Sequence, residues 1–283
     1  MIIVGLLLSS LGFLLFTGFD TVSKYLSHDY SIFQIMAVEF LCATLLLALY
    51  NLWNERHALH NAWRIHSKPM QLARGLTQLI GQVLVFIALP HLPLAQFYVV
   101  DFCAPIMVAV ISLYALKEKP PLYVWLALFV SFAGIVIALR PDESINLWTL
   151  AVFAGALVLA VSIVILRKMM ETESVAVTTV ITSAILAIGS LIPTVFVYQN
   201  MQWPAFGWML LGGAFFAGGQ IAITHAFRLA PASLASIPQF LQLIYGAIAG
   251  YLVFGEVPTI WIYIGGAMVV MANVFLLLKQ KHA

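Results

Sequence analysis

Charged residues are scarce in this chain. Asp, Glu, Lys and Arg make up 8% of its 283 residues, whereas 63% are hydrophobic. A water-soluble domain carries about 25% charged residues, so most of this surface must face lipid instead of water. The net charge is only +2, which excludes a general attraction for nucleic acid. The composition predicts an integral membrane protein whose main partner is the lipid bilayer.

Cysteines and metal-binding patterns are also few. Cys42 and Cys103 lie inside apolar runs, where a small core side chain is more common than a disulfide. His57, His60 and His66 are close in sequence, but no cysteine or carboxylate completes a ligand set around them. A membrane enzyme needs a nucleophile with a base, or a metal cluster, and the sequence shows neither. We therefore expect no metal, no cofactor and no enzymatic activity.

Long apolar runs fill the rest of the sequence. About 20 apolar residues cross the roughly 30 Å of hydrocarbon in a bilayer. The runs here are continuous, which predicts helices, because the strands of a lipid-facing barrel alternate apolar and polar residues. The first run has no basic flank or cleavage pattern, so we expect a retained helix and not a signal peptide. A longer connection, 53–70, suits a short helix on the membrane surface. The ten expected spans are 2–26, 32–52, 71–90, 94–116, 121–139, 147–167, 174–198, 207–229, 233–254 and 258–278.

Basic residues predict the orientation of these spans. With a cytoplasmic N-terminus, Lys24 and Arg140 lie at outer ends and the other eleven of the 13 basic residues lie at cytoplasmic ends. We therefore predict a multi-pass protein of the inner (plasma) membrane with both termini in the cytoplasm. The eleven residues are Arg56, Arg64, Lys68, Arg74, Lys117, Lys119, Arg167, Lys168, Arg228, Lys279 and Lys281.

An internal repeat is the most informative pattern. The first half of the chain can be aligned with the second. Early in each half the matching residues are 143 positions apart, so that Gly12 matches Gly155 and Lys24 matches Arg167. Later the offset is 138, and 81–120 then aligns with 219–258 without gaps. The identical pairs there are Gly81/Gly219, Gln82/Gln220, Ala88/Ala226, Pro93/Pro231, Phe102/Phe240, Ile106/Ile244, Ala109/Ala247, Glu118/Glu256 and Pro120/Pro258.

Each half of the repeat holds five spans, and an odd number inverts the second half relative to the first. The predicted fold is an all-α membrane protein of ten transmembrane helices, arranged as two inverted five-helix repeats at 1–140 and 141–283. Inverted repeats are typical of secondary transporters, which bind solute at the repeat interface and alternate access to it.

Three stretches carry a resemblance to a known family: Arg74-Gly75 opening the third span, the run Pro90–Pro105, and the Glu-x-Pro endings at Glu118 and Glu256. On these, the whole chain resembles the drug/metabolite transporter superfamily in its EamA-like ten-helix branch. The resemblance implies a proton-coupled or facilitative carrier of small metabolites, in either direction. It also implies a cavity bordered by spans 1, 3, 4, 6, 8 and 9. Many members carry a basic residue where this chain has Glu39, so a specificity for anions does not carry over.

Three carboxylates lie inside the predicted bilayer, where ionisable groups are costly and commonly functional. Asp20, Glu39 and Asp101 all lie roughly 10 Å below the outer end of their spans, given about 1.5 Å of rise per residue. We expect Asp20 and Asp101 to bind a cationic solute, and Asp101 or Glu39 to bind a coupling proton. The structural alternatives are that Asp20 pairs with Lys24 at i, i+4 and that Glu39 marks a span boundary near the headgroups.

Glutamines supply the expected uncharged part of the site. The repeat relates Gln82 to Gln220 and Asp101 to Gln239, and Gln242 follows on the same span. Amides bind a polar solute without the desolvation cost of a full charge. The alternative is that such glutamines hold neighbouring helices together.

Other side chains are assigned to covering, gating and hinge roles. Tyr98 and Phe86 are expected to cover a flat or cationic ligand, although either could be filler. Pro105 and Pro238 remove a helix hydrogen bond beside the polar positions, so they are candidate hinges or ordinary kinks. The candidate gating or proton-relay residues are Glu118, Glu256 and His225, each with a cap or interface role as its alternative.

The three carboxylates at one depth, Asp20, Glu39 and Asp101, favour a cationic or zwitterionic solute, such as an amine or an amino-acid derivative. The alternatives are a flat neutral solute resembling a vitamin or nucleoside, and a membrane protein without transport function. Uptake and export, proton coupling and its absence, and monomer and homodimer all stay open at this point.

Overall fold

The fold is helical throughout the part of the chain that the computed structural model describes, which is residues 1–54, 65–92, 94–101, 103–117, 120–139, 147–256 and 260–281. These residues contain no β-strand. The helices are α1 (Ile2–Leu26), α2 (Ile32–Asn54), α3 (Lys68–Ala88), α4a (Leu94–Asp101), α4b (Cys103–Ala115), α5 (Leu122–Leu139), α6 (Leu147–Met169), α7 (Val175–Val197), α8 (Trp203–Leu229), α9a (Ala232–Ala235), α9b (Gln242–Phe254) and α10 (Ile260–Lys281).

The helices match the ten expected spans. Within the described ranges, seven helical stretches are long and apolar enough to cross a membrane. Three shorter apolar helices complete the set: Cys103–Ala115, Leu122–Gly134 and Tyr263–Ala272. The predicted all-α membrane fold is therefore confirmed. Most of the connection at 53–70, including His57 and His60, lies outside the described residues.

Glycine contacts show how the two repeats interlock. On α1, Gly12 packs against α8, where an added Cβ would lie 3.3 Å from the carbonyl oxygen of Gly219. On α6, Gly155 packs against α3, where an added Cβ would lie 3.1 Å from the carbonyl oxygen of Gly81. Since Gly12 matches Gly155 and Gly81 matches Gly219 in the repeat, the same helix contact is made twice with the halves exchanged. Small residues let helix backbones approach closely in a membrane.

The ends of the fourth and ninth spans repeat one backbone conformation. Gly255 ends α9b at φ 68°, and Lys117, its partner at offset 138, has φ 57° just after α4b. A left-handed residue commonly ends a helix because it redirects the chain and satisfies the last carbonyls. Here the backbone N–H of Glu256 bonds to the carbonyl of Gly250 at 3.0 Å, which turns Glu256 back towards the bundle.

The ninth span is broken at its predicted proline. α9a is only one turn long, and a 3-10 segment, Ile237–Leu241, containing Pro238 precedes α9b. Pro105 is buried in the first turn of α4b, where its missing N–H removes no helix bond. Pro238 therefore lies in an interruption of the ninth span, and Pro105 lies at the start of α4b. A hinge role for these two prolines stays a prediction.

The glycine contacts predict a matched stability experiment. Gly155→Val should destabilise the protein by about 1–3 kcal/mol, since the new side chain overpacks the α3–α6 contact against Val85 and the Gly81 carbonyl. Gly207→Val is the control, because nothing lies within 4 Å of a Cβ at that exposed position. Thermal unfolding of the two purified variants compares them. Equal unfolding temperatures would show that close packing at Gly155 does not hold the halves together.

Candidate functional site

A cavity lies between α1, α3, the fourth span, α6, α8 and the ninth span. These are the six spans that the resemblance implies. The space between these spans measures about 830 Å³ with its open mouth included. Its apolar walls include Phe13, Phe16, Phe19, Phe97 and Phe216, and its polar groups are Asp20, Arg74, Gln78, Gln82, Asp101, Ser162, Gln220, Gln239 and Gln242.

The structure brings six of the eight expected solute-binding residues to this cavity. They are Asp20, Gln82, Asp101, Gln220, Gln239 and Gln242. Tyr98 and Phe86 are fully buried and do not line it. Phe86 packs against Phe19, with ring centroids 5.1 Å apart, so it supports the wall from behind.

Asp101 and its repeat partner meet directly. The Gln239 amide donates a hydrogen bond of 2.8 Å to Asp101 Oδ2. Residues that a two-fold axis interchanges can touch each other only near that axis. The contact therefore places Asp101 near the pseudo-symmetry axis between the halves, where transporters of inverted repeats hold their solute.

Asp20 is oriented by Tyr98 and not by Lys24. The Tyr98 hydroxyl donates to Asp20 Oδ2 at 3.0 Å, and the Tyr98 ring packs against Gly246. The expected alternative of an i, i+4 pair between Asp20 and Lys24 is wrong. Lys24 instead lies 3.5 Å from Glu256 Oε1 and donates to the carbonyl of Leu92 at 3.1 Å. These partners, on distant parts of the sequence, draw the Lys24 side chain away from Asp20.

Glu39 is fully buried among the helices, and its alternative role as a span boundary near the headgroups stays a prediction. It accepts hydrogen bonds from the Ser23 hydroxyl, at 2.9 Å and 3.0 Å. Gly212 on α8 leaves the space that the carboxylate occupies. Glu39 does not line the cavity, and neither does His225, which is half-buried on α8.

Arg74 is the cavity residue that sequence reasoning assigned elsewhere. It was expected at a cytoplasmic helix end, but only 2% of it is exposed and its side chain lines the cavity. A signal was present in the sequence, because Arg74, Gln78 and Gln82 follow each other at i, i+4 and i+8 on α3. Three polar side chains on one face of an apolar helix indicate a shared polar environment.

The two ends of the bundle each hold a basic residue from the repeat. We call the end with Lys24 and Glu256 the outer end and the end with Arg167 the inner end, after the predicted orientation. At the outer end Lys24 connects α1 to the segment after α9b and to the segment after α3. At the inner end Arg167 donates to the carbonyl of Phe227 on α8 at 2.9 Å. Glu118 lies outside the described residues.

Comparison with known proteins identifies the family. The sequence profile of the EamA-like transporter family matches residues 3–140 and 146–278. A protein of known crystal structure superposes over 99% of both chains, with a TM-score of 0.77 and 16% identity, which shows a shared fold.

Three transporters are among the similar sequences. An S-adenosylmethionine uptake transporter of Rickettsia bellii is 25% identical over 93% of this chain and 90% of its own. The pseudopaline exporter CntI of Pseudomonas aeruginosa is 26% identical over 75% of this chain and 76% of its own. Solute carrier family 35 member G1 of Mus musculus is 28% identical over 71% of this chain and 59% of its own. The chain is therefore a multi-pass membrane transporter, not an enzyme, and it belongs to the EamA-like transporter family of the drug/metabolite transporter superfamily.

Proposed function

We propose that this protein is a secondary transporter that moves a small cationic or zwitterionic metabolite, such as an amine or amino-acid derivative, across the inner membrane by alternating access. One observation carries the proposal. Asp20 and Asp101 are buried in the cavity, and among the described residues neither forms an ion pair. Their hydrogen-bond partners, Tyr98 and Gln239, are neutral.

A cationic group on the solute would complete this site. A buried carboxylate without a counter-charge is costly in a low-dielectric interior, and an arriving cation offsets that cost. The neighbouring Gln82, Gln220 and Gln242 offer amide groups for the rest of a polar solute. The aromatic walls favour a cation through the negative faces of their rings.

The rickettsial relatives support this class of solute. S-adenosylmethionine, named for the rickettsial transporters, is an amino-acid derivative with a sulfonium and an ammonium group. It is therefore a suitable first probe for this chain. The relatives include an uptake transporter and an exporter, so they support carriage in either direction.

Alternating access needs contacts that open at one end of the bundle at a time. We propose that Lys24 and Glu256 form the outer gate, because their ion pair joins α1 to the end of the ninth span, just after α9b, across the two halves. Most of Lys24 is buried, with its ammonium group 5.1 Å from the centre of the Phe254 ring. The pair must separate when the outer end opens.

A binding and transport screen tests the proposed function. Purified protein is heated with S-adenosylmethionine, polyamines, amino acids, nucleosides or neutral vitamins, and each compound that raises the unfolding temperature is then assayed for uptake into proteoliposomes. We expect the stabilising and transported compounds to carry a cationic group. Transport of neutral nucleosides or vitamins, with no response to cations, would instead establish the alternative flat neutral solute.

The proposed orientation predicts where single cysteines react in intact cells. In a background lacking Cys42 and Cys103, Asn200→Cys between α7 and α8 should react with an impermeant maleimide added outside. Ile65→Cys, just before α3, should react only after the membrane is permeabilised. The reverse pattern would show that the termini lie outside.

A further inference from the structure

We infer that Arg74 binds a carboxylate on the same solute whose cationic group meets Asp20 and Asp101, so that the solute is an extended zwitterion. This inference rests on the proposed function for the cationic end of the solute. It assigns the other end and limits the chemical class further.

The guanidinium group of Arg74 has only neutral partners within the described residues. Its Nη1 donates to the Thr182 hydroxyl and, at 3.3 Å, to the Thr178 carbonyl, while its Nη2 donates to Gln220 Oε1 at 3.4 Å. Its Nε is buried with no hydrogen-bond partner. A buried arginine in the interior of a membrane protein is costly and commonly marks a solute pathway.

A carboxylate is the partner that suits the guanidinium group of Arg74. Its planar fork of N–H groups matches the two oxygens of a carboxylate, which it can bind through two parallel hydrogen bonds. Two of its present bonds, those to Thr178 and Gln220, are long at 3.3 Å and 3.4 Å, and Gln220 itself lines the cavity. An entering carboxylate can therefore reach Arg74 from the cavity side.

The positions of the charges set the length of the solute. The Arg74 guanidinium reaches Gln220 on α8, and the adjacent Gly219 packs against Gly12 and Phe16 of α1. Asp20 lies further along α1 than Gly12 and Phe16, so at about 1.5 Å of rise per residue it is roughly 6–12 Å higher, towards the outer end. Part of that height is spanned by the side chains themselves. The carboxylate and the cation that meets the aspartates are therefore separated by several bonds.

This separation distinguishes between amino acids and their larger derivatives. A simple α-amino acid carries its ammonium and carboxylate on one carbon, so it cannot reach both ends of the cavity. A derivative with a second cationic centre further along the molecule can do so. The inferred solute has a carboxylate towards the inner end and a cation towards the outer end.

Pairs of compounds that differ only in the carboxylate test the inference. The probes are S-adenosylmethionine with its decarboxylated form, which keeps both cationic centres, and 6-aminohexanoate with hexylamine. Dissociation constants are measured for the wild-type protein, Arg74→Gln, Arg74→Lys and the control Arg228→Gln, whose arginine is exposed on α8. In at least one pair the wild type should bind the carboxylate member at least tenfold tighter. That ratio should fall to about one in Arg74→Gln, return in part in Arg74→Lys and stay unchanged in Arg228→Gln.

The ratio separates binding from a structural role. If Arg74 only ties α3 to α7 and α8, Arg74→Gln lowers the unfolding temperature but leaves the ratio as in the wild type, and the inference is wrong. Equal binding of both members by the wild type also overturns it while leaving the proposed function intact. If no cationic member of any pair binds, the proposed function fails as well.

Discussion

Asp101→Asn is expected to weaken binding of the cationic solute by at least tenfold, which corresponds to about 1.4 kcal/mol. The substitution keeps the shape of the side chain and a group able to bond with Gln239, but it removes the charge that meets the cation. The fold should survive, because a neutral amide is cheaper to bury than a carboxylate. The loss should therefore appear in binding and transport and not in thermal stability.

The pH dependence of binding gives a second readout for the same variant. Protonation removes the negative charge of Asp101, so wild-type affinity for a cation should fall as the pH is lowered, whereas Asp101→Asn should show a weaker dependence. Asp29→Asn, at an exposed loop position, is the matched control. Normal transport with unchanged pH dependence in Asp101→Asn would make Asp101 a structural residue and remove the main support for a cationic solute.

Cross-linking the outer gate is expected to stop transport almost completely. Lys24→Cys with Glu256→Cys, in a background lacking Cys42 and Cys103, places two thiols where the ion pair joins α1 to the segment after α9b. A bifunctional methanethiosulfonate reagent long enough to replace the two side chains would hold the outer end closed. Because the outer end must open once in every cycle, uptake into proteoliposomes should fall to background and return when a reductant is added.

A cross-link at the same end, but between helices that stay packed, provides the control. Tyr25 on α1 and Trp208 on α8 have ring centroids 6.2 Å apart. These helices are held together by the contact of Gly12 with Gly219. Cysteines at Tyr25 and Trp208 should cross-link without loss of transport. Full activity of the cross-linked Lys24 and Glu256 pair would show that this ion pair is not a gate.

The sequence was sufficient to predict the ten spans and their inversion, because hydropathy and the repeat can be recognised without knowing which helices contact each other. Apolar runs mark helices without knowledge of their neighbours, and the offsets of 143 and 138 residues already pair Gly12 with Gly155 and Asp101 with Gln239. The hydrogen bond between Asp101 and Gln239 is the physical result of that second pairing.

The contacts of individual charges were harder to predict, because they depend on helices far apart in the chain. Lys24 has a nearby carboxylate at Asp20, yet it pairs with Glu256, more than 200 residues away. Arg74 was assigned to a cytoplasmic helix end because it lies near the start of the third span. Its burial follows from Thr178, Thr182 and Gln220 on helices that no local pattern places beside α3.

The counterflow of a labelled solute tests the central claim most directly, since that claim is that the cavity carries a cationic solute by alternating access. Proteoliposomes are loaded with unlabelled S-adenosylmethionine, or with the tightest cationic binder from the screen, and diluted into a trace of the same labelled compound. The account predicts a transient accumulation of label above its equilibrium level, which Asp101→Asn should abolish. Equilibration without this overshoot, or an equal overshoot in Asp101→Asn, would contradict it.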